Sequence, residues 1–329
     1  MMLKRDDVLD VNPPIAIGRS LTLNGSHWLW AVTAVFILSF LALAFLTLFR
    51  PRNGERIFHY LFTIGLFTGS VAYYAMASNL GWSAIATHLY TSDTLFYTVF
   101  FAKYVYWVVS FPVAIIALGL ASGVSWASIV FNVFLSWAWI ISYLVGAYTP
   151  SRYKWGFFTL GTLAYLLLAY STLMNGLSSS RRFSIARDYT ILAGYLNLLW
   201  FLYPIGWAVT DGGNVMGVTQ MAIYFGILDL FLLPGLAIGF LFLSRRWDYG
   251  LMNLHFTQYG RVPQGTATFP EKGTHAPTGG VTGATGTTGL TGTNTGVGGV
   301  GHDTHAPVQP TGTHGQTTGG PVSSHAPAV

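Results

Sequence analysis

Seven long apolar stretches constrain this chain more than any other feature of its sequence. They run over residues 28–49, 57–79, 95–120, 127–147, 155–176, 189–209 and 219–243. A helix needs about 20 apolar residues to cross about 30 Å of hydrocarbon, and each stretch is long enough. Charged residues make up 8% of the chain, against roughly 25% in soluble domains, so much of the surface faces lipid rather than water. The polar and small residues scattered through these stretches suit helix–helix contact more than a lone lipid anchor. The fold class expected is all-α, a seven-transmembrane-helix bundle.

Arginines set its orientation. Arg50, Arg52 and Arg56 follow the first stretch, Arg181, Arg182 and Arg187 follow the fifth, and Arg245 and Arg246 follow the seventh. All fall on one side, which reads as cytoplasmic. The opposite turns hold Asp93 and Asp211, with Arg152 and Lys154 as exceptions. The N-terminus is therefore expected outside and the C-terminus inside. No cleavable signal peptide is expected, because a polar stretch with Lys4, Arg5, Asp6, Asp7 and Asp10 precedes the first apolar run.

Three regions follow: an extracellular segment (1–27), a membrane domain (28–249) and a cytoplasmic tail (250–329). The tail is rich in Gly, Thr, His and Pro. Such a composition cannot bury enough surface to offset its ordering entropy, so disorder is expected there. A short unit recurs as Thr274-His275-Ala276-Pro277, Thr304-His305-Ala306-Pro307 and Ser324-His325-Ala326-Pro327. It is either a weak metal or partner motif or a drifting low-complexity repeat, and isolated flexible histidines favour the second.

Several function classes are disfavoured. The chain has no cysteine, hence no disulfide, thiolate metal site or cysteine nucleophile. The apolar region has no His/Asp/Glu cluster and no phosphate-binding glycine loop, so neither a metal site nor an enzyme is expected. The net charge of +5 comes mainly from residues beside apolar stretches and does not point to nucleic acid.

Ionisable residues at membrane depth are costly and mark function by default. The clearest are Lys103 in the third stretch and Asp229 in the seventh; His59 and His88 lie nearer the stretch ends. Around Lys103 the chain reads Lys103-Tyr104-Val105-Tyr106-Trp107-Val108-Val109-Ser110-Phe111-Pro112, and the sixth stretch reads Trp200-Phe201-Leu202-Tyr203-Pro204-Ile205-Gly206-Trp207. These segments, with Asp229, resemble the third, sixth and seventh helices of the microbial rhodopsins. The resemblance covers roughly residues 28–249 and implies a microbial rhodopsin-like bundle. It also implies that Tyr73, Trp107, Trp200, Tyr203, Pro204 and Trp207 descend from the wall of a retinal pocket.

The same resemblance exposes departures. The family's retinal-linking lysine would fall at Leu233, four residues after Asp229, and the lysines of this chain are Lys4, Lys103, Lys154 and Lys272. The counter-ion carboxylate is replaced by Tyr106, and the proton-donor carboxylate would fall near Ala117. The outer proton-release carboxylates would fall near Gly212 and Met221, with Asp211 close by but alone. No covalent cofactor is expected. The aromatic set would either hold retinal or another apolar ligand reversibly or simply fill the core. One membrane carboxylate does not make a proton relay. A buried charge needs a partner, so Lys103 and Asp229 are expected to pair directly or through water; the alternative is that Lys103 snorkels outward.

The overall pattern is similar to lysine-less opsin-related proteins of fungal membranes, some of them heat-shock-type. That resemblance implies a non-photoactive plasma-membrane regulator or scaffold in the stress response. Membrane lipids, other membrane proteins reached through the tail, and a second copy of the chain are the partners it allows. A reversible ligand sensor is the runner-up, and an ion transporter or channel a weaker third.

Overall fold

A computed structural model describes residues 8–14, 19–49, 56–87, 95–252 and 254. Seven helices in it are long and apolar enough to cross a membrane: α1 Leu23–Phe49, α2 Ile57–Ala77, α3 Phe101–Ser122, α4 Trp126–Tyr148, α5 Lys154–Phe183, α6 Ala186–Gly212 and α7 Val218–Arg246. Most successive helices are joined by short connections, which make neighbours antiparallel; α2 and α3 are joined by the longer segment 78–100. Each of α1 to α4 packs on the next, and α1 closes against α7. The third helix is buried on most of its faces and forms the centre. Arg56, Arg181, Arg182, Arg187, Arg245 and Arg246 therefore share one end of the bundle. The tail repeats, His88 and Asp93 lie outside the described residues, while His59 sits in the first turn of α2, half-buried.

Two of the boundaries that differ from expectation bear on the fold. The first helix begins at Leu23 rather than near residue 28, because Gly25 and Ser26 belong to the packed face. Gly25 lies against Thr219, and Ser26 Oγ donates to the Ala77 carbonyl at 2.7 Å. The larger difference is at residues 95–100, expected to open a helix. Leu95–Phe100 is instead a strand, β2, paired antiparallel with β1, Trp82–Thr87, in register from Trp82↔Phe100 to Thr87↔Leu95. Aromatic and β-branched residues favour such pairing, and a short apolar run carries no period that separates strand from helix. The backbone of Arg19 covers the free edge of β2, donating to the Phe96 carbonyl and accepting from the Thr98 N–H, both at 3.2 Å.

Three helices contain a π turn: α5 at Ser171–Asn175, α6 at Ala208–Gly212 and α7 at Phe231–Gly235. The last contains Pro234, which has no N–H for the helical ladder. Such turns rotate the residues beyond them and concentrate where side chains must be re-aimed.

The third helix ends on Gly123, whose φ of +65° is left-handed and whose N–H caps the Gly119 carbonyl at 3.0 Å. A Cβ there would run into the Phe183 ring of α5. Gly123→Ala is expected to cost about 1–2 kcal/mol from the backbone alone, with the ring displacement adding to it, read as a lowered unfolding midpoint in detergent. An unchanged midpoint would show that the α3–α4 turn relaxes freely.

Candidate functional site

Two polar centres are set into the aromatic core. The first surrounds Asp229 of α7, which is fully buried. Tyr73 of α2 and Tyr203 of α6 each donate a hydroxyl to its carboxylate at 2.5 Å, and Trp107 Nε1 of α3 lies 3.1 and 3.3 Å from its two oxygens. Hydrogen bonds to an ionised acceptor are about twice as strong as neutral ones. Three neutral donors on three helices thus satisfy one carboxylate on a fourth.

The second centre surrounds Lys103. Its ammonium lies 2.5 Å from Asp211 Oδ2, with both side chains buried. The same oxygen accepts the Tyr104 hydroxyl at 2.5 Å, and Trp207 Nε1 donates to Tyr104 Oη at 3.0 Å. Phe225, Tyr104 and Trp107 present rings to the ammonium at 4.8, 5.1 and 5.7 Å, within cation–π range. Met221 Sδ lies 3.0 Å from it. Lys154 Nζ of α5 donates to the Asp211 backbone carbonyl at 3.3 Å. Nearby, burial pushes the Tyr97 phenol well above the ordinary tyrosine range; the Asp211 carboxylate adds to that shift and Arg19 opposes it.

This arrangement corrects the expected pairing. Lys103 and Asp229 form no direct ion pair, and Asp211, read as solitary, is the partner instead. The cause is the π turn that carries α6 on to Gly212, past the expected end at residue 209, and brings Asp211 inside the bundle at 1% exposure. Asp211 follows Trp207 by four residues, one turn away on the same helix face, but that spacing does not tell a continued helix from a loop. A void of about 10 Å³ touches both Lys103 and Tyr73, about the room one water occupies.

The remaining candidates are all buried. Tyr106 lies with its ring edge toward Phe36 at 5.5 Å and Tyr73 at 6.0 Å, and Gly69 of α2 makes room for it. Ala117 and Leu233 are fully buried, and Leu233 fills the space beside Gly65. Pro204 is buried within α6. Trp207 packs apart from the other aromatic candidates, on Tyr143, Phe158 and Trp155, whereas Tyr73, Trp107 and Tyr203 meet at Asp229 and Trp200 joins them through Phe111. Phe111 stands in their midst, its ring 5.1 Å from Trp139, 5.2 Å from Tyr203, 5.4 Å from Trp200 and 6.2 Å from Trp107. Neither Phe111 nor Trp139 is among the residues that the resemblance points to, although Phe111 lies one turn after Trp107.

Comparison with known proteins agrees with this geometry. A family model described as bacteriorhodopsin-like protein matches residues 24–241. The chain is 39% identical to Protein FDD123 of Trametes versicolor over 77% of its own length and 89% of that protein. It is 34% identical to the opsin-like protein carO of Fusarium fujikuroi over 70% and 78%, and 30% identical to the 30 kDa heat shock protein of Saccharomyces cerevisiae over 69% and 75%. Among solved structures, Acetabularia rhodopsin I matches with a TM-score of 0.64 and 30% identity, over 70% of this chain and 97% of that one. A light-driven proton pump of Leptosphaeria maculans matches in fold with a TM-score of 0.66 at 24% identity, over 72% and 99%. With seven membrane-length helices and a buried carboxylate held by two tyrosines and a tryptophan, the chain belongs to the bacteriorhodopsin-like family, as one of its fungal opsin-related members.

Proposed function

We propose that this protein is a non-photoactive member of its family, a stress-associated plasma-membrane regulator or scaffold that moves no protons. The observation that carries the reading is Leu233. It lies four residues after Asp229 on a helix that contains no lysine, and it is fully buried. Without an amine there, no Schiff base forms with retinal at that site. The charge arrangement supports the same reading. Lys103 is already neutralised by Asp211, and Asp229 is held by three neutral donors, so neither centre offers a series of carboxylates along which a proton could step.

The stress role draws on the likeness to the 30 kDa heat shock protein. The orientation, N-terminus outside and C-terminus inside, draws on the arginine-rich end. In this reading the tail contacts other membrane proteins, no reaction is catalysed, and no covalent cofactor is held. Reversible binding of retinal or another apolar molecule among the aromatic side chains is the competing reading, and it would require Phe111 to leave the space between Trp139, Trp200 and Tyr203.

Purified protein mixed with all-trans retinal tests the proposal, beside a Leu233→Lys variant. The expected spectrum is that of free retinal in both samples, with no proton movement on illumination. A red-shifted band in the parent, or light-driven acidification, would overturn the non-photoactive reading. A hydroxylamine-sensitive band in Leu233→Lys alone would leave that reading intact and show that the aromatic cluster opens without further change.

A further inference from the structure

A groove of about 290 Å³ opens at the arginine-bearing end of the bundle, on the far side of the membrane domain from Lys103 and Asp211. Its walls include Leu120, Trp126, Ile129, Phe183, Met252 and Leu254, and no charged side chain lines it. The volume is near the lower end of small-ligand sites, about 300 Å³. Its depth is fixed by its frame. Gly123 caps α3, Trp126 opens α4, Phe183 closes α5, and Met252 and Leu254 lie beyond the end of α7. The mouth therefore sits where hydrocarbon gives way to headgroups, and the exposed Trp126 has the position of an interfacial aromatic anchor.

The charge around the mouth completes the chemistry. Arg181 and Arg182 immediately precede Phe183, and both are exposed. Among the described residues neither has a carboxylate partner; Arg182 Nη2 donates to Ser179 Oγ at 3.1 Å. Among the described residues, the two acids at this end are engaged locally. Asp188 accepts from Trp247 Nε1 at 2.9 Å, and Asp248 accepts from the N–H groups of Gly250 and Leu251 at 2.9 and 3.1 Å. An occupant must place an apolar chain in the groove and an anion at its rim. Guanidinium groups match phosphate in shape and charge.

We propose that this groove is a lipid site, taking one acyl chain of an anionic glycerophospholipid whose phosphate rests on Arg181 and Arg182. The site is independent of the retinal question, because it shares no residue with either polar centre.

The test uses the full chain in nanodiscs of palmitoyl-oleoyl phosphatidylcholine containing a minor share of the phosphatidylserine analogue, with lipid retention read by native mass spectrometry. One phosphatidylserine should stay bound per chain, preferred over phosphatidylcholine by about tenfold or more, in keeping with the attraction of two arginines to an anionic surface. Arg181→Gln with Arg182→Gln should bring that preference close to unity. Val124→Trp, placed on the groove wall, should reduce retention of both lipids. Equal retention of the two lipids by the parent would overturn the proposal, as would a preference that survives loss of both arginines. A photo-reactive benzoylphenylalanine in place of the exposed Trp126 leaves the packing alone. A lipid adduct there supports the site, and an adduct to this chain's own residues beyond Leu254 assigns the groove to the tail and overturns it.

Discussion

Asp211→Asn is expected to destabilise the bundle by about 3–5 kcal/mol, the usual cost of breaking a buried ion pair by removing one partner. The substitution keeps the shape of the side chain and an acceptor for Tyr104 Oη. What it removes is the charge opposite an ammonium that is 2% exposed and has no other carboxylate within ion-pair distance. The aromatic rings around Lys103 soften that loss, since a desolvated cation–π contact is worth about 2 kcal/mol, but they do not replace a full negative charge. Replacing both partners separates loss of the pair from loss of shape. Lys103→Met with Asp211→Asn should recover most of the stability, because an apolar replacement of a buried pair is often neutral or better. The measurement is a double-mutant cycle on equilibrium unfolding in mixed micelles. Strong coupling between positions 103 and 211, with much weaker coupling between 103 and 229, supports the assignment. Equal destabilisation of the single and double variants would mean that Asp211 acts through Tyr104 and the hairpin, and the reverse order of couplings would restore the Lys103–Asp229 pair.

The seven membrane spans were legible because lipid imposes a length and a composition that nothing else in the sequence imitates. The role of the residues around Asp229 was only half legible: the resemblance implies Tyr73, Trp107 and Tyr203 as walls of a retinal pocket, whereas all three donate to the Asp229 carboxylate. The pairing of Lys103 was not legible, for a geometric reason. One π turn at Ala208–Gly212 decides whether Asp211 belongs to a loop or to the core, and a single widened turn leaves no periodic trace in the sequence. The hairpin was missed because Leu95–Phe100 runs straight into α3, so one apolar run contains two kinds of structure with no polar residue between them. Phe111 was not legible because in the sequence it is one more apolar residue in an apolar helix. Its role appears only when ring-to-ring distances show it among Trp139, Trp200 and Tyr203.

That ring yields the second large effect. Phe111→Ala should destabilise the bundle by about 3–5 kcal/mol, as truncation of a core phenylalanine does in soluble proteins, because four aromatic neighbours lose contact at once. An apolar space opened in this way stays dry and accepts apolar molecules, so the same substitution should create a ligand site where the parent has a packed core. Combined with Leu233→Lys, it supplies both the space and the amine for retinal. Asp229, four residues before position 233 and already oriented by Tyr73 and Tyr203, is placed to serve as counter-charge to the new linkage. The expected result is a hydroxylamine-sensitive visible band in Phe111→Ala with Leu233→Lys and none in Leu233→Lys alone. Colour in both would mean that Phe111 swings aside readily and that an amine at position 233 is enough for the linkage. If both stay colourless while circular dichroism shows an intact bundle, the obstruction lies deeper, with Trp139 next to be truncated, since its ring lies 6.1 Å from Trp200 and 6.4 Å from Tyr203.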